Sequence, residues 1–321
     1  MFLTNKANIV GALEDTPYTP DTLLDADFDI EPENLSYSPE VNEFQRKVLD
    51  GTLDTYNSVM GKQACNCSFM TPMNPGAAAA TEPKWGKFLE ACGFKKTAHG
   101  STGISWVPHV EKTHNPMTIE VIEIADGASP SQIVTRIGGA MGNVTFQIGE
   151  VGEPIQMNFE FQGRLVSIAD RAYGSILTQS GLSTVQPPAV LAATIQVASV
   201  TQNMETFELN TGNTLNRWTD ASKSSGIKGA YVSGRESTIS LDPTYELLAT
   251  EAVYTQWIAG TTGALSIVIG STPQLTISAP VSQYSTVGMG EREGARVAEK
   301  VLRLHGSSGN DSFEILQGAK A

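Results

Sequence analysis

Between Asn143 and Ile168 apolar and polar side chains alternate. Val144, Phe146 and Ile148 alternate with Thr145 and Gln147; beyond a turn holding Gly149, Gly152 and Pro154, Ile155, Met157, Phe159 and Phe161 alternate with Gln156, Asn158, Glu160 and Gln162. A period of two predicts a pair of half-buried strands, because successive side chains on a strand point to opposite faces. The apolar face must pack on a core. The other face is rich in amides and carries one charge, Glu160. Such a face suits solvent, a neighbouring subunit or the wall of a pore.

The same style recurs along the chain. Gln63–Met70, Ile119–Ile124, Ala192–Ser199, Thr206–Leu209, Ser237–Leu241, Ala264–Ile269, Gln274–Ala279, Arg296–Leu304 and Phe313–Leu316 all read as strands. Leu23–Ile30 also alternates, with Leu24, Ala26, Phe28 and Ile30 against Asp25, Asp27 and Asp29, which predicts a strand with an acidic outer side. Two prolines in Glu14–Pro20 exclude regular helix and a central strand, leaving an extended arm or a turn. Ser38-Pro39 reads as a further break, 44–60 is ambiguous, and 99–116 reads as a loop or ragged hairpin. Pro130–Gly142 reads as turn-rich, as do Asn210–Asn213, the polar loop Ser222–Gly229 and the polar turn Ser233–Ser237.

Two segments have helical character. Pro83–Cys92 has proline in its first turn, one apolar face made by Trp85, Phe88, Leu89 and Cys92, and Gly93 at its end. The second follows Asp242-Pro243, where Asp242 can cap and Tyr245, Leu248 and Ala252 share a face; its far end fits a strand equally well. At least ten strands with no alternation of strand and helix predict an all-β protein, with strands spaced as in sandwiches or barrels. Residues 170–188 lack periodicity and end in Pro187-Pro188, the best internal boundary. It divides the chain into 1–188 and 189–321, two parts of what could be one continuous domain.

Composition sharpens this picture. Only 17% of the 321 residues are charged, which is low for a soluble globular chain and fits a surface covered by subunit contacts. Thirty glycines and sixteen prolines suit many short strands and turns. The net charge is −13. Residues 1–60 hold twelve acidic and three basic side chains, a net of −9, so the other 261 residues carry only −4. This balance argues against ordinary DNA binding, which needs Lys and Arg on the phosphates, yet it is compatible with DNA passing without sticking. Cys65, Cys67 and Cys92 have no framework spacing and read as reduced thiols of a cytosolic product. The N-terminus lacks a signal-peptide pattern, and no apolar run approaches the ~20 residues of a membrane helix.

Candidate chemistry is sparse. His99, His109 and His114 lie near Cys92, but the spacing fits no closed zinc pattern, which shows two tight ligand pairs. The Asp25-Ala26-Asp27-Phe28-Asp29 run lacks the glycine and distal glutamate of a calcium loop, so a solvated acidic face is the simpler reading. No hydrolase elbow, zinc-protease helix, phosphate loop or dinucleotide fingerprint occurs. Neither a cofactor nor catalysis is expected. Trp85, Trp106, Trp218 and Trp257 could form a sugar platform in a β-sandwich adhesin or carbohydrate-binding virion protein, although scattered tryptophans more often anchor cores or interfaces.

The run Leu13-Glu14-Asp15-Thr16-Pro17-Tyr18-Thr19-Pro20-Asp21-Thr22-Leu23-Leu24, the acidic stretch to Ile30, Arg46, Gly51, the helix Trp85–Gly93 and the turn Gly212-Asn213 resemble the tail tube proteins (major tail proteins) of long-tailed bacteriophages. Tyr18 stands where that family often has glycine, and Lys87-Phe88-Leu89 where paired leucines are common. The resemblance implies a β-sandwich with a flanking helix, and inner strands that complete a β-barrel within a hexameric ring. It implies that rings stack into a tube around a tape-measure protein. Tail terminator and baseplate proteins would bound the tube, genomic DNA would pass through without specific binding, and the tube would sit in the virion tail after assembly in the host cytoplasm. On this reading Gln147, Gln156, Asn158, Glu160 and Gln162 are candidates to face the lumen, and Glu14, Asp15, Thr16, Pro17 and Tyr18 are candidates for an inter-ring arm.

Overall fold

A computed structural model of the chain describes residues 2–23, 27, 30, 32–47, 56–109, 115–125, 131–172, 185–270 and 273–320. Nearly all of its regular structure is strand. The first half comprises β1 (Phe2–Leu13), β2 (Glu33–Phe44), β3 (Val59–Pro72), α1 (Gly86–Ala91), β4 (Phe94–His99), β5 (Gly103–Pro108), β6 (Met117–Ala125), β7 (Ser131–Ile148) and β8 (Gln156–Ala172). After Pro187-Pro188 follow β9 (Thr194–Val197), β10 (Val200–Thr201), β11 (Phe207–Asn210), β12 (Asn213–Thr219), β13 (Ile227–Arg235) and β14 (Thr238–Leu241). The chain ends with α2 (Val253–Ala259), β15 (Thr262–Ile269), β16 (Leu275–Arg292), β17 (Ala295–His305) and β18 (Glu314–Gly318). The all-β expectation is borne out.

Among the described residues, sixteen strands form one antiparallel sheet whose main path runs β10-β9-β15-β16-β17-β14-β11-β7-β8-β3-β2, while β12 and β13 pair only with each other. Two 18-residue strands make this branched order possible. β7 pairs with β6 through its first half and with β11 through its last residues, while β8 runs along its other edge. β16 likewise serves β15, β17 and β18 in turn. β18 then pairs with β5, Ile315 opposite Trp106, so a single sheet crosses the Pro187-Pro188 position.

The alternation of β7 and β8 has the predicted consequence. Val144, Phe146, Ile148, Met157, Phe159 and Phe161 are all buried. Phe69 of β3 stacks on Phe159 at 5.3 Å, and Phe88 of α1 meets Phe69 edge-on at 5.6 Å. The predicted face of α1 holds: Trp85, Phe88, Leu89 and Cys92 are fully buried, and the Trp85 indole N–H donates to the Asn74 carbonyl at 2.7 Å. One cluster gathers these side chains with Leu209, Ile277 and Phe313 from the second half; a smaller one holds Val10, Leu23, Ile122 and Val134.

Several local expectations fail for identifiable reasons. Pro39 lies inside β2 rather than breaking it. β2 ends the sheet path, and an edge strand tolerates a residue with no N–H to donate. Pro130–Gly142 is turn-rich in composition, yet Ser131 onward is strand. The irregularity appears as register shifts between Arg136 and Ile137 and between Gly138 and Met141, where Gly139 takes φ +60°. Residues 170–172 continue β8, and Ile227–Arg235, read as part of a loop and a turn, form β13. The second helix starts at Val253 and ends on the left-handed Gly260, so Asp242 does not cap it. Asp242 instead accepts the Thr206 backbone N–H at 2.8 Å and pairs with Arg292 at 2.8 Å. Asp27 lies outside any strand; Leu24–Asp25–Ala26, Phe28 and Asp29, which carry most of the acidic alternation, fall outside the described residues.

Candidate assembly surface

In an antiparallel sheet, residues directly opposite one another place their side chains on the same face. The registers therefore define the polar face built by the alternation. Across β7 and β8, Gln147 stands opposite Gln156, Thr145 opposite Asn158, Asn143 opposite Glu160 and Met141 opposite Gln162. Across β8 and β3, Asn158, Glu160 and Gln162 meet Met70, Ser68 and Asn66. Ser36 and Ser38 of β2 continue the rows beyond Ser68 and Asn66. In the other direction Glu208 and Asn210 of β11 lie opposite Gln147 and Thr145, and Ser240 and Thr238 of β14 lie opposite them in turn. Gln147, Gln156, Asn158, Glu160 and Gln162 thus share one face, and it extends over six adjacent strands.

The residues added to this face by the fold were visible only as isolated alternations. Glu208 and Asn210 alternate with Phe207 and Leu209, and Asn66 and Ser68 with Cys65, Cys67 and Phe69. Nothing in the sequence said that β11 and β3 flank β7 and β8. Glu160 is exposed, while Gln147, Gln156, Asn158 and Gln162 are half-buried. The face carries Glu160, Glu208 and Glu40, and three cations on or beside it are engaged: Arg217 donates to the Glu40 carboxylate at 2.8 Å and to the Asn66 side-chain oxygen at 2.9 Å, Arg164, opposite Ala64 in the Glu40 row, donates to the Tyr18 carbonyl at 3.3 Å, and Arg303, opposite Thr238, pairs with Glu236 at 3.2 Å.

Arg217 belongs to the β12–β13 hairpin, which roofs one end of the face. Asn213 donates its side-chain N–H groups to the carbonyls of Cys92 (2.7 Å) and Gly142 (2.9 Å), and its backbone N–H to Asn143 (2.9 Å). Arg235 donates to Asn213 and to the Gly93 carbonyl. Its burial lowers the guanidinium pKa to about 10. A groove of about 270 Å³ is left between hairpin and sheet, lined by Ser36, Ser38, Ser68, Glu160, Gln162 and Leu215 among others.

The Glu14–Tyr18 segment folds back as a turn on its own chain. Asp15 donates its backbone N–H to the Asp21 carboxylate at 2.7 Å, and Thr19 donates to the Thr16 carbonyl at 2.9 Å. Glu14 and Tyr18 are buried; Asp15, Thr16 and Pro17 are exposed. The Tyr18 ring meets Trp218 edge-on at 5.5 Å, and the Lys228 ammonium lies 4.0 Å from the Trp218 ring centroid.

Trp85 and Trp106 pack on each other at 4.8 Å inside the core and offer no face to a sugar. Trp218 and Trp257 are partly exposed. His99 contacts the Ser105 hydroxyl at 2.9 Å, and His114 lies outside the described residues. Among the described residues no group of three His, Cys, Asp or Glu side chains could hold a metal ion, and no helix is long and apolar enough to cross a membrane.

A family model described as phage tail tube protein matches residues 4–300. A comparison with curated proteins gives no match.

Proposed function

Since the chain belongs to the phage tail tube protein family, a structural component of the virion tail that assembles with itself into a tube, we propose that it forms hexameric rings that stack into the conduit for genome ejection. The observation that carries this reading is the continuous polar face of β2, β3, β8, β7, β11 and β14. It is rich in amides and hydroxyls, bears carboxylates, and has its nearby Arg217 tied to Glu40. As the lumen wall, such a surface stays wetted yet gives a phosphate backbone few cations to hold.

The ends of the sheet support assembly. Among the described residues β2 ends the main sheet path, and an unpaired edge invites another chain. Val41 and Phe44 on β2 and Val59 and Met60 on β3 are exposed at the same end of that hairpin, where a neighbouring subunit would remove them from water. The exposed Asp15, Thr16 and Pro17 are the part of the Glu14–Tyr18 segment free to touch an adjacent ring. A tape-measure protein would occupy the lumen before ejection, and terminator and baseplate proteins would close the ends.

Negative-stain electron microscopy of the purified full chain tests this reading. Rings or tubes are expected. A species that stays monomeric at every concentration and salt tried overturns it.

A further inference from the structure

A lysine, a glutamate and a glutamine meet in the core where β17, the segment after β10 and the lead-in to α2 come together. Lys300 is essentially inaccessible, and Glu251, Gln202 and Tyr284 are buried around it. The Lys300 ammonium donates to Glu251 Oε2 at 2.6 Å and to the Gln202 side-chain oxygen at 2.8 Å. The Gln202 amide nitrogen donates to Glu251 Oε1 at 3.0 Å and to the Val200 carbonyl at 3.1 Å. The Tyr284 hydroxyl donates to the same Oε1 at 3.3 Å. One carboxylate therefore bridges the amine and the amide nitrogen, while the amine already touches the oxygen of the amide carbonyl.

We propose that Lys300 and Gln202 form an intramolecular isopeptide bond, with Glu251 as the proton carrier. In this buried setting the ammonium gives a proton to Glu251, leaving a neutral amine beside a carboxylic acid. Burial also pushes the Lys300 pKa below its usual value, which favours the nucleophilic form. The Nζ lone pair adds to Gln202 Cδ. Glu251 delivers its proton to Nε2 and takes one from the new Nζ–Cδ linkage. The Cδ–Nε2 bond breaks, ammonia leaves, and a secondary amide remains. Atoms and electrons balance with no oxidant, reductant or co-reactant. The fold supplies what the uncatalysed reaction lacks: fixed proximity, exclusion of water, and one group placed to serve both nucleophile and leaving group.

The bond would join positions 98 residues apart, fastening the segment after β10 to β17.

Intact-mass spectrometry of the folded full-length protein decides it. The expected mass is that of the sequence less one ammonia, with a branched peptide joining the Gln202 and Lys300 regions after digestion. Lys300→Met and Glu251→Gln should restore the full mass. Should either variant fail to fold, fragmentation of the wild-type branched peptide locates the bond without it. A wild-type protein that keeps its full mass after prolonged incubation, both before and after assembly, overturns the proposal and leaves a buried ion pair. An ammonia loss that persists in Lys300→Met, or one mapped to another amide, overturns it as well.

Discussion

Gly139 donates its backbone N–H to the Glu14 carboxylate at 2.7 Å, across 125 residues of sequence. The Thr118 hydroxyl donates to the same oxygen at 3.1 Å, and the contact pins the Glu14–Tyr18 turn onto the irregular stretch of β7. Burial is the largest influence on this carboxyl and raises its pKa from 4.5, against the lowering effect of these hydrogen bonds and of Arg164. A folded-state pKa above the unfolded one means that the stabilising contribution is complete below the unfolded value. It is lost as pH rises through the folded one. Glu14→Gln keeps an acceptor oxygen and has no charge to bury. Urea midpoints measured from pH 4 to 8 should therefore fall less steeply with rising pH in Glu14→Gln than in the wild type. Parallel curves would show that Glu14 does not carry this dependence.

The same contact depends on a glycine. Gly139 has φ +60°, and a methyl there would lie 2.8 Å from the Gly229 Cα and 3.0 Å from the Lys228 carbonyl oxygen. Gly100 has nearly the same φ, +59°, with no neighbour within 4 Å of the corresponding position. Left-handed backbone alone costs an alanine about 1–2 kcal/mol. Gly100→Ala should show that cost and little more. Gly139→Ala adds a collision with backbone that cannot swing aside, and should exceed it by at least about 1 kcal/mol, as overpacking costs run. Equal losses in chemical denaturation would mean that β13 and β7 separate easily at this point.

The fold was legible wherever one periodicity dominated. β7 and β8 near their turn, the apolar face of α1 and the all-β class follow from alternation, from Gly93 and from turn residues. What was hidden depends on partners distant in sequence. Pro39 breaks a central strand but not an edge one, and only the sheet order reveals which β2 is. Gly138, Gly139 and Gly142 resemble turn residues, yet they serve close approach: a methyl at Gly142 would meet Phe161 at 2.6 Å and the Cys92 sulfur at 2.9 Å. Asp242 fits a helix cap by its neighbours and is used instead by Arg292. The candidate site divides the same way. The five polar positions of β7 and β8 could be named from the sequence, but their continuation through Asn66, Ser68, Glu208 and Ser240 is a property of register. Glu14–Pro20 reads as an arm or a turn because its two prolines say only what it is not; tertiary contacts bury Glu14 and Tyr18.

The cysteines should be chemically silent. All three are free and buried, and burial raises their thiol pKa values, that of Cys65 to about 11 and those of Cys67 and Cys92 upward as well. Thiolate is the reactive form, so the native protein should react negligibly with an aromatic disulfide reagent at pH 8 and should release all three thiols on denaturation. Fast native labelling of even one would place it in a segment that opens readily. The silence also makes the wild-type chain a suitable background for introduced cysteines. In assembled tubes, Asn158→Cys should resist a bulky reagent added from outside and should label once the tubes are dissociated.

Charge on the polar face tests its role directly. Glu160 and Glu208 lie on that face, two strands apart, in rows anchored by Asn143 and Gln147. If the face lines a passage for DNA, its carboxylates repel phosphate, and the repulsion is strongest where the lumen focuses the field. Replacing both with lysine leaves the buried side of the sheet untouched, so tubes should still form. It should convert the wall from one that repels phosphate to one that holds it. Each phosphate so neutralised adds about 0.9 to the slope of log affinity against log salt. Short duplex DNA should therefore co-sediment with Glu160→Lys/Glu208→Lys tubes at low salt and release steeply as salt rises, while wild-type tubes retain little. Glu293→Lys makes the comparison specific to the face. If its tubes bind DNA as well as the double variant does, the lumen assignment fails even though the tube itself stands.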